Sequence, residues 1–392
     1  MRIDRGGSEA QKADMALQKT NWLLVFALLV AGLFAAAQFG KLTLTLPLLR
    51  DAYPEGGALV PVLISIVGMV GIALGAVAGA VVARVGIARA LTGALVAGGL
   101  LSLIEATLPH ISVFALLRAA EGVSHLAIVV AVPTLMASIA SDKDRPVVMG
   151  IWATFFGISI AITAALLPWL LSMGGLKAVF LAHGGGMLVM AALLFPLLPK
   201  GRISRPVPVS YWAEHRIIYT TPRLLIPGGG FVWYTSLYIA LLAVLPVALA
   251  LPVWVITALP LISIVGTLLG GFLGKRLAPD RLVIAGFVMT IVASAIVYFA
   301  SPAIWPLFVL FFVMALIPAA SFAAIPHFNY DATDRARATG GIAQLGNVGT
   351  TTGTPIFVLV FDQAGLGGVC LLMSMICILG IVLTALLRAR IK

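Results

Sequence analysis

Apolar residues run through this chain in stretches of about 18 to 26 positions separated by short polar gaps, and helices of that length match the thickness of a bilayer. Twelve such runs lie at roughly 22–48, 58–82, 90–108, 112–140, 147–171, 178–198, 224–247, 253–274, 282–300, 304–325, 339–361 and 367–387. They predict an all-α polytopic membrane protein with twelve transmembrane helices. The longest internal gap carries Lys200, Arg202, Arg205 and Arg216 and divides the runs into six and six. The expected plan is a polar tail (1–21), a first six-helix bundle (22–198), a basic linker (199–223), a second bundle (224–387) and a short tail (388–392). Leu63-Ile-Ser-Ile-Val-Gly68 recurs as Leu261-Ile-Ser-Ile-Val-Gly266, but at a different distance from the following gap, so it establishes no repeat.

Composition agrees with the pattern. The chain is 61% hydrophobic and 10% charged with a mean hydropathy of +1.12, whereas a soluble domain carries about 25% charged residues. The net charge of +11 reads as orientation and not as nucleic-acid binding, because the basic residues sit in the gaps. Of 25 Lys and Arg, 21 fall in the two tails and the alternate gaps that share a side with them, while the opposite gaps hold Arg50 and Lys177. The positive-inside rule then puts both termini in the cytoplasm, in an inner-membrane protein. No cleaved leader is expected from the polar first twenty or so residues. Cys370 and Cys377 are seven apart on one helix, too far to bridge. Hydrolytic, nucleotide-binding and zinc-protease patterns are missing, so neither enzymatic activity nor a cofactor is expected.

Two of the 25 Lys and Arg remain inside the spans, Lys41 and Arg118. Arg118, Glu121 and His125 are spaced i, i+3 and i+7 and share one face of the fourth span; Gln38, Lys41 and Thr45 repeat that spacing on the first. Lys41 and Arg118 each lie about six residues, or roughly 9 Å, from the predicted outer end of their helix, which points to one shared site. An ionisable group in hydrocarbon needs a partner, water or a substrate. Lys41 could instead snorkel to the interface, Arg118 could be a structural hub, and His125 could be a packing residue. Glu121 reads as the one acid deep in a span and hence as the proton-coupling group, unless it is a permanent partner of Arg118. Glu105, near the end of the third span, reads as interfacial. On the seventh span Phe231, Trp233, Tyr234 and Tyr238 offer rings with polar tips that would clamp a solute or simply pack. Gln344 and Asn347 sit among glycines on the eleventh and either reach a cavity or bond across helices. Gly71, Gly75 and Gly79, four apart, predict a close-packing helix face. His183, Met187 and Met190 fit packing better than a metal site, and no metal is expected.

The turn Gly79-Ala-Val-Val-Ala-Arg84-Val-Gly86 resembles the signature loop of the major facilitator superfamily, Gly-x-x-x-Asp-Arg-x-Gly, with Ala83 in place of the acid. Arg118-Ala-Ala-Glu121-Gly122 resembles that family's Arg-x-x-Gln-Gly motif, with Glu121 replacing the amide. The fifth span lacks the Gly-Pro motif of the antiporters. The resemblance implies two pseudo-symmetric six-helix bundles that rock about a midplane site, with the first, fourth, seventh and tenth helices lining the cavity. It implies a secondary transporter, expected as a monomer in the lipid bilayer, with Gly79, Arg84 and Gly86 in a gating loop. The candidate solute site comprises Gln38, Lys41, Arg118, His125, Trp233, Tyr234, Tyr238 and Asn347. Two cations, with His125 if protonated, outnumber Glu121 there, which favours a small anionic, carboxylate-bearing solute moved with protons or against a counter-anion. Proton-coupled efflux of amphipathic compounds, with the aromatic residues dominant, is the alternative. A non-transporting membrane receptor or scaffold is the alternative from another class, and it has little need of buried charge.

Overall fold

The computed structural model describes residues 19–57, 59–199 and 209–391. Most of the expected polar tail, and Lys200, Arg202 and Arg205 of the linker, lie outside them. The first bundle consists of α1 (Trp22–Leu44), the short α2 (Leu46–Ala52), α3 (Leu59–Val85), α4 (Ile87–Glu105), α5 (Ile111–Ile139), α6 (Arg145–Ala153) and α7 (Phe155–Leu194). After α8 (Tyr211–Thr220), the second comprises α9 (Pro222–Ala248), α10 (Val253–Leu273), α11 (Pro279–Phe299), α12 (Trp305–Met314), α13 (Leu316–Phe328) and α14 (Ala332–Ala389). Two of these fold back on themselves. In α7 the backbone leaves the helix at Gly174 and Gly175, the latter at φ +63°. Ser159 on one limb bonds Leu33 O, and His183 on the other bonds Phe34 O. In α14 the turn is Gly365, at φ +58°, a left-handed conformation that glycine adopts without a Cβ penalty. Counting both limbs of each, the described residues hold twelve segments of membrane-spanning length, the number the hydrophobic pattern predicts.

Three departures from the predicted spans have local causes. The first span does not run to residue 48. Pro47 lacks an N–H and its ring clashes with the carbonyl four residues back, so α1 stops at Leu44 and α2 starts afresh. Pro318 acts in the same way on the tenth span, which is split at Ala315 into α12 and α13. The linker is not featureless, since α8 occupies ten of its residues.

One apolar core, around Leu28, Ile128 and Trp152 of the first bundle, continues into Leu224, Phe322, Ile325 and Ile342 of the second, and another, around Leu241, Phe287 and Phe311, lies within the second. Leu, Val, Phe and Trp side chains such as Leu116, Trp169, Val265, Phe299 and Leu371 stand exposed on the outside, as lipid contact requires. The bundles meet along a seam on the side of the basic gaps. There α3 presents Gly71, Gly75 and Gly79 to Asn347, Gln344 and the Ala336–Arg337 backbone of α14. A Cβ on Gly79 would collide with the Ala336 carbonyl, so the seam closes only with glycine at that point. The predicted close-packing face is therefore the contact between bundles. Gly150 of α6 meets Gly271 of α10 across the same side.

Candidate functional site: a buried four-charge cluster

Three helices of the first bundle bring two cations and two carboxylates together in its interior. Lys41 Nζ lies 2.6 Å from Glu105 Oε2, 2.6 Å from Glu121 Oε1 and 2.9 Å from Ser102 Oγ, so every ammonium proton has an acceptor. Arg118 pairs with Glu121 Oε2 through Nη1. Its Nε donates to Leu63 O at 3.1 Å and its Nη2 to Gln38 O at 2.9 Å. All four charged side chains are at most 1% exposed. Leu42, Leu63, Phe114 and Phe180 wall them in, and Lys41 Nζ stands 5.1 Å from the Phe180 ring centre, within cation–π range.

Local sequence explains the convergence. Lys41 occupies the last turn of α1 because Pro47 ends that helix early, and there the ammonium faces the negative end of the helix dipole. Ser102 and Glu105, i and i+3, share a face of α4, as Arg118 and Glu121 do on α5. His183 extends the network, with Nδ1 3.0 Å from Ser102 Oγ and Nε2 3.0 Å from Phe34 O. A backbone carbonyl only accepts, so Nε2 carries a proton. Ser102 Oγ in turn accepts from Lys41 and donates its one proton to Phe180 O at 3.0 Å.

Two expectations are corrected here. Glu105 is not interfacial; it is fully buried and ion-paired. Glu121 is consequently not the only deep acid, and the cluster holds two cations against two carboxylates instead of an excess of positive charge. Lys41 does not snorkel. The other candidates are distributed more widely. Gln38 is fully buried in the first bundle, its amide donating to Ser124 Oγ at 3.4 Å, and its Oε1 has no partner among the described residues. His125 donates from Nδ1 to Ala35 O at 2.9 Å and rests edge-on against Phe39, ring centres 5.0 Å apart. Neither side chain joins the charge cluster, which Gln38 meets only through its backbone carbonyl. His183 and Ser102, which do join it, were not singled out for that role; helical spacing from Glu105 marks Ser102, but nothing in the sequence brings His183 to it.

In the second bundle Tyr234 and Tyr238 stack with ring centres 5.4 Å apart. The column continues to Phe231 at one end and Phe311 at the other, at 5.8 and 6.0 Å. Trp233 Nε1 is buried without a hydrogen-bond partner among the described residues. Asn347 bonds back to Ala343 O at 2.8 Å and lies against Gly68 and Gly71 of α3, which makes it a seam residue. Gln344 ties three elements, donating to Ile72 O of α3 at 2.6 Å and accepting from Tyr219 of α8 at 3.0 Å. Of the gating loop, Gly79 is in the seam, Arg84 is exposed, and Gly86 takes φ +95° between α3 and α4. Among the described residues no group of three or more His, Cys, Asp or Glu could hold a metal ion.

Residues 28–253 match the family model described as Major Facilitator Superfamily. No curated protein sequence matches the chain. The fold is similar to that of the proton:xylose symporter XylE bound to 6-bromo-6-deoxy-D-glucose, with a TM-score of 0.71 at 12% identity, covering 94% of this chain and 95% of that one. It is also similar to the E. coli fucose:proton symporter FucP, with a TM-score of 0.69 at 15% identity and coverage of 95% and 99%. The human organic anion transporter MFSD10 (TETRAN) gives 0.68 at 14% identity and coverage of 92% and 98%. At these identities the likeness is one of fold.

Proposed function

This chain belongs to the major facilitator superfamily, a family of transporters and not of enzymes, and on that premise we propose a proton-coupled secondary transporter of a small carboxylate-bearing solute. The observation that carries the proposal is the balanced cluster of Lys41, Arg118, Glu105 and Glu121 in the dry interior of one bundle. With both acids ionised it is neutral; with one proton bound its net charge is +1. At an effective dielectric of 20 a unit charge about 8 Å away is worth about 2 kcal/mol, roughly thirtyfold in affinity. Proton and anion thus favour each other's binding, as linkage requires. Charge balance favours this symport over exchange for a counter-anion, because the unprotonated cluster has no net attraction for one.

The basic gaps support an inner-membrane protein with both termini in the cytoplasm, and the proposal is for a monomer with one path between its bundles. The glycine seam lies on that basic side, so the conformation is closed to the cytoplasm. His125, Tyr234, Tyr238 and Trp233 are the candidate solute contacts, and the free indole N–H of Trp233 is a ready donor to a carboxylate. XylE and FucP carry sugars with protons and MFSD10 organic anions by name; the fold accommodates either.

The test is accumulation of labelled organic acids in proteoliposomes under an inside-alkaline gradient, which should exceed the accumulation without a gradient and be abolished by Arg118→Ala. The stacked column from Phe231 to Phe311 favours a second reading, efflux of amphipathic compounds. Gradient-driven movement of lipophilic cations, with no organic acid accumulating, would replace the first reading by the second.

A further inference from the structure

We infer that Glu105 is the group that takes up the coupling proton, while Glu121 stays ionised as the fixed counter-ion of Arg118 and Lys41; the inference rests on the proton-coupled reading above. The two buried acids are not equivalent. Glu121 has both oxygens engaged, Oε1 by Lys41 at 2.6 Å and Oε2 by Arg118. Glu105 has only Oε2 engaged, by Lys41 at 2.6 Å. Its Oε1 is buried with no hydrogen-bond partner among the described residues, and Arg118 Nη1 at 3.7 Å is beyond bonding range. A carboxylate oxygen out of water with no hydrogen bond recovers only part of its desolvation cost, here from the Arg118 charge 3.7 Å away. The acids also repel, since an oxygen of each lies 2.6 Å from the same ammonium nitrogen, which keeps those oxygens within about 5 Å of each other. Where two carboxylates share a site, one of them is where a proton goes. The arginine holds Glu121 to its charge and leaves Glu105 to accept.

Position supports the same choice. Glu105 is the last residue of α4, immediately before the turn that leads to the exposed His110, whereas Glu121 lies within α5. Over that turn sits Tyr53, which donates to Pro109 O at 2.8 Å and packs edge-on against Phe114. Burial first, and then the charge of Glu105, push the Tyr53 hydroxyl above its usual range. A proton from the solution on this side adds to Glu105 Oε1 and gives a neutral carboxylic acid. Oε2 keeps its bond from Lys41, which remains an ammonium, and the cluster passes from neutral to +1. Loss of the proton to the other side restores it.

The experiment uses the purified full-length protein in lipid nanodiscs and needs no solute. Infrared difference spectra on acidification should show the carbonyl absorption of a buried carboxylic acid appearing in the wild type, and appearing only at lower pH in Glu121→Gln, where the repelling charge is gone and Arg118 is free to face Glu105. The band should be missing in Glu105→Gln, with thermal melting confirming that each variant is folded. Glu105→Asp, which keeps the charge, should move both the frequency and the midpoint of the band, and serves if Glu105→Gln does not fold. A band that persists unchanged in Glu105→Gln or Glu105→Asp, or that appears at higher pH in Glu121→Gln than in the wild type, overturns the assignment. A Glu105-dependent band in a protein whose solute uptake ignores a proton gradient supports the proton site and removes the transport reading, so the two fail separately.

Discussion

Replacing Lys41 by Met keeps the length of the side chain and removes the ammonium that three acceptors share. Glu105 then has no donor at all, since Arg118 Nη1 is 3.7 Å away, and Glu121 keeps only Arg118. Breaking a buried pair from one side costs about 3–5 kcal/mol, because the partner is left charged and unpaired. A domain the size of one bundle shifts by about 2–4 °C per kcal/mol, so Lys41→Met should melt at least about 6 °C below the wild type. Adding Glu105→Gln removes one charge of each sign and leaves the Arg118–Glu121 pair, and balanced replacement of buried ions is often close to neutral. The double variant should therefore recover more than half of the loss, a coupling within the range of 0.5–3 kcal/mol found for residues in contact. The assay is tryptophan fluorescence during heating in one detergent at one heating rate, because irreversible unfolding makes the midpoint depend on rate. A double variant that melts at or below Lys41→Met refutes the reasoning, since the lysine would then act through its own packing and not by balancing charge.

The seam and its cover yield three further expectations. Gly79→Val puts side-chain atoms into the Ala336 carbonyl and should hold the basic side open, read as increased maleimide labelling of a cysteine introduced at Ala336. Glu214 of α8 clasps Arg337 with two bonds of 2.8 and 3.0 Å, and Tyr211 of α8 bonds Ala73 O of α3 at 3.0 Å, so α8 straps the two bundles together. Glu214→Gln should weaken this strap by about 1 kcal/mol or less, given a partly exposed pair, and raise hydrogen exchange in 211–220 with little change elsewhere. Asp144 is held below its usual range first by the Thr20 hydroxyl, which with Lys275 and Ser141 outweighs the opposing effect of burial. A depressed carboxylate stabilises fully above its unfolded pKa and loses that contribution as pH falls through its folded value. The stability difference between wild type and Asp144→Asn should accordingly be flat from about pH 5 to 8 and vanish in stronger acid; a difference that grows on acidification contradicts the assignment.

The architecture was legible because it is written in run lengths. Hydrocarbon thickness sets the length of a helix, and basic residues gather in alternate gaps, so twelve spans and their division can be counted without knowing any contact. Arg118 and Glu121 were legible for a similar reason, being costly charges at helical spacing on one face. The burial of Glu105 is not legible because the sequence marks helix ends poorly. A first span that runs to residue 48 puts Lys41 well inside and leaves Glu105 close to the surface. Pro47 ends α1 at Leu44, which brings Lys41 up to the level of Glu105. His183 and α8 were hidden for another reason. A lone histidine on an apolar helix has no periodic signature, and the Tyr-Trp-Ala-Glu-His-Arg of α8 owes its order to docking on α3 and α14, a tertiary cause.

The charge cluster and the seam lie toward opposite ends of the first bundle, and α3 belongs to both. Near one end its Leu63 carbonyl receives Arg118 Nε at 3.1 Å; further along, Gly71, Gly75 and Gly79 form the contact with α14. Leu63 to Gly79 is sixteen residues, about 24 Å of helix. The one proline in α3 is Pro61, ahead of that interval, so the stretch keeps its full ladder of hydrogen bonds and moves as a rod. The other route is α5, which carries Arg118 and Glu121 and reaches the second bundle where Thr134 meets Thr339 at 3.4 Å. In α5, however, Pro133 removes a rung just before Thr134, and a helix yields where a rung is missing. A change in cluster charge that alters the pull of Arg118 on Leu63 is therefore carried to the seam more stiffly through α3 than through α5. Glycine gives α3 no freedom to absorb the movement either, because within a helix whose flanks are packed it acts as a close contact and not as a hinge.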